Sequence, residues 1–146
     1  MAACRFFVQP DLVLSKRTKM KLFNWFFIVT FIIFAGLQYN DPDPYVWMPI
    51  YLYAAFLCWL SIRNKFSPAL YWAGFIVYGA YALYKVFDEN GLLDWIRKHH
   101  AQNIAETMKA ETPWVEETRE FFGLMIVIAV LSINYVYLSR QKKAVR

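Results

Sequence analysis

Polar residues cut this chain into four long apolar runs. Residues 22–38 read LFNWFFIVTFIIFAGLQ and 45–62 read YVWMPIYLYAAFLCWLSI, while 69–87 read ALYWAGFIVYGAYALYKVF and 121–138 read FFGLMIVIAVLSINYVYL. Each is 17 to 19 residues long, close to the ~20 that a helix needs to cross the hydrocarbon core. Lipid-exposed backbone must satisfy its own hydrogen bonds, which predicts helices. The alternative, helices buried in a soluble domain, fails on size: 146 residues cannot enclose four such runs.

Between the third and fourth runs the pattern changes. Leu93, Ile96, His100, Ile104 and Met108 recur at helical spacing, with Lys98, Gln102, Glu106 and Lys109 largely elsewhere. This predicts an amphipathic helix over about 92–110, lying on the membrane surface or folded back over the helices. Thr112-Pro113 then restarts the chain, because Thr suits an N-cap and Pro the first helical position. The expected fold is all-α, a four-transmembrane-helix bundle with an extra amphipathic helix in the outer loop between helices 3 and 4. Residues 1–21 and 139–146 are tails, and 22–138 form the membrane domain.

Composition sharpens the picture. The chain is 59% hydrophobic and 20% aromatic, more apolar surface than a domain of this size can hide from water. Lipid is the solvent that accepts the excess. The net charge of +5 does not indicate nucleic acid, because the basic residues sit in short segments beside the apolar runs. Arg5, Lys16, Arg17, Lys19 and Lys21 precede the first run, Arg63 and Lys65 follow the second, and Arg140, Lys142, Lys143 and Arg146 follow the fourth. Only Lys85, Arg97, Lys98, Lys109 and Arg119 fall on the other side. The positive-inside rule puts both termini in the cytoplasm of a multi-pass cell-membrane protein. Every acidic residue except Asp11 is then outside. Cys4 and Cys58 are too few for a disulfide framework and are read as thiols outside any bridge. The first run lacks a small-residue cleavage site, so it is read as a retained helix. Residues 1–19 carry no fold signal, and Met20 is a plausible alternative start.

Two acidic clusters on the outer side are the candidate site. In the first, Asn40-Asp41-Pro42-Asp43-Pro44, the prolines hold Asp41 and Asp43 extended or turn-like. The bland account is punctuation: Asn40 ends helix 1, Asp43 caps helix 2 and Pro44 starts it. Two carboxylates between rigid prolines also make a preorganised anionic loop. In the second, Glu116-Glu117-Thr118-Arg119-Glu120 opens helix 4, where carboxylates complement the helix dipole. Glu116 with Glu120, and Glu117 with Glu120, share a face, so they repel unless Arg119, Lys85 or a bound cation compensates.

Asn40-Asp41-Pro42-Asp43, with Trp47, Tyr51 and Ala55 after it, resembles the first signature of the transmembrane protein 220 family. Glu116-Glu117-Thr118-Arg119-Glu120, continuing to Gly123-Leu124 and Ile126, resembles the second, in the same order and separation. The resemblance covers about 22–138. It implies a small multi-pass membrane protein in a family with no established activity to carry over. Pro44 and the longer, His-bearing outer loop depart from the family pattern.

Further residues invite chemistry. His100 lies on the loop stripe and, with Asp41, Asp43 and Glu117, would complete a mixed metal site; adjacent His99 and His100 cannot chelate one ion together. Tyr71, Gly74, Tyr78, Tyr81 and Lys85 line one face of helix 3, either as helix packing or as a polar path. Asn134 reads as an interhelical hydrogen-bonding group. Phosphate loops, CxxC, HExxH and nucleophile elbows are absent from the sequence. The leading expectation is a non-enzymatic protein whose outer acidic site binds a divalent cation or a partner. Asn40, Asp41, Asp43, Trp47, Tyr51, Glu116, Glu117, Arg119 and Glu120 build that site, with His100 and Lys85 contributing. A small-solute transporter, or a membrane enzyme acting on a lipid-like substrate, are the alternatives. Expected partners are the lipid bilayer and a homo-oligomer or membrane partner protein, not nucleic acid.

Overall fold

The computed structural model describes residues 10–40, 43–89, 91–98, 100 and 113–144. Among them there is no strand. Helix α1 spans Pro10–Leu37 and runs into a 3-10 turn at Gln38–Asn40; α2 spans Pro44–Ile62, α3 Pro68–Phe87, α4 Leu92–Arg97 and α5 Pro113–Ala144. Proline opens each of α2, α3 and α5, where its missing N–H costs nothing and its fixed φ suits the first turn. The chain divides into two compact units, Met1–Phe66 and Ser67–Arg146.

In the first unit α1 packs antiparallel on α2 through a single stripe. Asn24, Ile28, Phe31 and Ala35 are buried at offsets of four, seven and eleven, while Trp25, Phe26, Val29, Ile32 and Ile33 between them are exposed. A helix apolar on its unburied face as well is built for lipid. Phe31 stacks on Tyr51 at 6.2 Å between ring centroids, and Phe34 meets the same ring edge-on at 5.5 Å. Asp43 sits at the N-cap of α2 without a side-chain capping bond. Its carbonyl accepts from the Val46 N–H instead, at 3.1 Å, so the expected carboxylate cap is a backbone cap. At the other end α2 closes with Asn64 in the left-handed region (φ 53°). The Lys65 N–H reaches the Leu60 carbonyl at 2.9 Å and the Asn64 N–H the Ser61 carbonyl at 3.0 Å, the paired bonds of a Schellman stop.

The second unit joins α3, α4 and α5. Tyr71, Gly74, Tyr78, Ala82 and Lys85 form the buried stripe of α3, and Tyr71 meets Tyr135 of α5 at 5.9 Å between ring centroids. Helix α4 is much shorter than the 92–110 expected. It ends at Arg97, and His100 has a φ of 47° that no right-handed helix accommodates. Trp95, beside the expected stripe, packs edge-on against Phe122 of α5 at 6.0 Å. Ile104 and Met108 lie outside the described residues.

Among the described residues, three helices are long and apolar enough to cross a membrane: α1 over Ser15–Leu37, α2, and α5. Helix α3, at 20 residues, has the length. Its four tyrosines, Trp72 and Lys85 lower its hydropathy below that of the others, so the four-span bundle is not given by the helices' apolarity alone.

Candidate functional site

Three charged side chains of the second unit converge. Glu117 and Glu120 stand one turn apart on α5, and both point at Lys85 in the last turn of α3. The Lys85 Nζ lies 2.6 Å from a Glu117 carboxylate oxygen and also forms an ion pair with Glu120. Lys85 is 5% exposed, and the side chains of Glu117 and Glu120 are 21% and 14% exposed. Burial of this degree strips water from all three groups, so each charge depends on the others. The ammonium also lies 5.3 Å from the centre of the Tyr81 ring, close enough for a cation–π contribution. As a cation in the last turn of α3, Lys85 complements that helix's dipole. One ammonium is thus shared by two carboxylates.

Backbone geometry holds Lys85 in place. Gly91 is buried, and a Cβ on it would lie 2.1 Å from the Lys85 carbonyl oxygen and 3.1 Å from that of Asp88. The Gly91 N–H donates to the Asp88 carbonyl at 2.9 Å, and its own carbonyl accepts from Trp95 at 3.1 Å. This turn seats the start of α4 on the end of α3. At the far end of α4, Asp94 hydrogen-bonds Lys98 at 2.6 Å and holds that ammonium above its ordinary range. Beside the cluster, the buried Thr118 hydroxyl donates to the Trp114 carbonyl at 2.7 Å.

The other expected site residues distribute as follows. Glu116 and Arg119 are half-buried on α5. Trp47 and Tyr51 are buried in the first unit, their rings 5.9 Å apart, where they form part of the α1–α2 core. Asp43 is half-buried at the start of α2. Asp41, His99 and the side chain of Asn40 lie outside the described residues. His100 is exposed. Of the α3 face, Tyr71, Gly74, Tyr78 and Lys85 are buried and Tyr81 half-buried, which is the pattern of a packing stripe. Asn134 is fully buried on α5.

A divalent cation fits the described residues poorly. Among them no three His, Cys, Asp or Glu side chains group closely enough to hold a metal. An ion at Glu117 and Glu120 would first have to displace Lys85.

Two features were not foreseen, one polar and one steric. Asn24, 1% exposed, donates from Nδ2 to the Met20 carbonyl at 2.8 Å and to the Ser61 hydroxyl at 3.3 Å, joining α1 to α2 in the middle of apolar sequence. A single Asn within LFNWFF was the signal. Gly91 was announced by the Asn90-Gly91 dipeptide, a strong turn marker.

A family model described as "Transmembrane family 220, helix" matches residues 30–136. No curated protein and no solved structure matches the chain.

Proposed function

The chain belongs to Transmembrane family 220, and on that footing we propose that it is a non-catalytic, four-span membrane protein. Both termini are cytoplasmic, and the protein works through contacts made at its acidic outer side. The shared ammonium of Lys85 carries this reading. Glu117 and Glu120 are answered by a cation from within the chain, so the acidic cluster needs no metal to exist. The half-buried Glu116 and Arg119 on the same stretch of α5 add polar side chains of both signs for a partner to meet.

The fourth crossing is α3. Its exposed side chains include Trp72, Ile76, Val77 and Leu83, an apolar face suited to lipid. Its tyrosines lower hydropathy without adding charge. Lys85 sits at its end, ion-paired, where an ionisable group is tolerated in a membrane. Four crossings return the basic C-terminal tail to the side of the basic N-terminal segment, as the charge distribution requires.

Thermal unfolding of the purified full-length protein in detergent tests the site, with calcium, magnesium, manganese and zinc added in turn. The expected midpoint is the same with each ion. Lys85→Met strands two carboxylates and lowers stability by roughly 3–5 kcal/mol, and adding Glu117→Gln restores part of the loss. A divalent-dependent rise that Glu117→Gln and Glu120→Gln abolish would instead make this a metal centre. A photocrosslinking residue in place of Arg119 should capture one discrete membrane partner in cells. Correctly inserted protein that yields no adduct would remove the partner from the proposal.

A further inference from the structure

In the first unit, exposed basic residues gather where α1 enters its apolar span and α2 ends. Helix α1 runs without interruption from its polar start into the apolar span. Lys16, Arg17, Lys19 and Lys21 are all exposed on that continuous helix. Lys16 and Lys19 are three residues apart and Arg17 and Lys21 four, so the helix aligns them as two like-charged ridges. Such pairs repel and weaken a helix unless an anion lies across them. Among the described residues none of the four pairs with a carboxylate. Asp11 is the only acid in the first 40 positions, and 44–87 contains none.

The α1–α2 pairing brings more positive charge to the same level. Asn24 bonds Ser61, so Lys21 lies one turn below that contact on α1, while Arg63 and Lys65 follow it at once, just past the end of α2. Both are exposed. The Arg63 guanidinium sits 5.5 Å from the centre of the Trp59 ring, an aromatic of the kind that marks a membrane–water boundary. From Lys16 to Lys21 the helix rises about 8 Å, comparable to the roughly 5–7 Å polar layer on each side of a hydrocarbon core.

We propose that Lys16, Arg17, Lys19 and Lys21, with Arg63 and Lys65, form a docking surface for anionic phospholipid headgroups in the leaflet they face. Phosphate and carboxylate oxygens of two or more lipids bridge the two ridges of α1 and the end of α2, relieving the repulsion along the helix. Charge complementarity selects the lipid, and the position beside the span puts the cations at headgroup level. This inference is independent of the Lys85 cluster.

The test uses full-length protein in detergent, mixed with equal amounts of phosphatidylserine and phosphatidylcholine. Lipid retained through gel filtration is then quantified. The expected result is phosphatidylserine retained at least about fivefold over phosphatidylcholine, the preference that one headgroup-level cation supplies. The preference falls towards unity in high salt, and falls well below that of the unaltered protein in Lys16→Gln/Arg17→Gln/Lys19→Gln/Lys21→Gln, where Arg63 and Lys65 retain the remainder. It survives in Arg140→Gln/Lys142→Gln/Lys143→Gln, which removes similar charge elsewhere. Equal retention of the two lipids by the unaltered protein overturns the proposal, as does a preference that the quadruple variant keeps or the triple variant loses. Should the quadruple variant fail to insert, Arg63→Gln/Lys65→Gln replaces it, with a partial loss expected and an unchanged ratio counting against the surface.

Discussion

Gly91 is set by a neighbouring backbone atom rather than by its own torsions. Its φ is ordinary, but any side chain would strike the Lys85 carbonyl. Gly91→Ala must therefore push α4 off the end of α3 and disturb the residue whose ammonium Glu117 and Glu120 share. Overpacking of this kind costs about 1–3 kcal/mol, and chemical denaturation of Gly91→Ala beside the unaltered protein should show it. Gly79, with no heavy atom within 4 Å of a built Cβ, supplies the control: Gly79→Ala should leave stability unchanged or slightly raised, since Gly is a poor helix residue. The Lys85 cluster was partly legible at this scale. Carboxylates three apart demand a counter-charge, and Lys85 was one of three candidates. Seeing that Lys85 reaches both carboxylates needed the antiparallel packing of α3 on α5, which no local spacing encodes.

At the scale of the element, proline marked the helix starts and their order. Pro44, Pro68 and Pro113 each open a helix, because a residue without an N–H fits only where none is needed. The loop helix expected over 92–110 meets the described residues only in its first part, α4. Periodicity from Leu93 to Met108 describes a helix in the abstract, yet the chain turns left-handed at His100, and α4 is held by Trp95 on Phe122 rather than by its length. Short helices owe their stability to such contacts more than to propensity. The two faces of α1 make a sharper test of the apolar pattern. Phe31→Ala opens a cavity against Tyr51 and should cost roughly 3–5 kcal/mol. Ile32→Ala, on the exposed face, exchanges one hydrocarbon contact for another and should change stability by less than about 0.5 kcal/mol. Equal losses at both positions would mean that the exposed face is covered by protein.

For the whole molecule, the apolar runs made the membrane setting legible before any coordinates, and the two-unit division was not. Nothing in the hydropathy pattern distinguishes one group of helices from two pairs, since every run is of similar length and character. Topology is the property to measure here. Ser15→Cys and Ser139→Cys, each in a Cys4→Ser background, should react with a membrane-impermeant thiol reagent only after the cells are permeabilised. Labelling of one before permeabilisation would mean an odd number of crossings, and α3 would be the helix to remove from the count. Buried Cys58 should stay silent throughout.

Helix α1 has no joint between Lys16 and Leu37, and it is clasped to α2 at Asn24, Ile28, Phe31 and Ala35. A shaft of this kind turns or tilts as one body. Any force applied to its basic end, whether from a binding protein or from a change in the bilayer, is delivered as torque to the buried stripe and not absorbed by a hinge on the way. The tail is mechanically geared to the membrane domain.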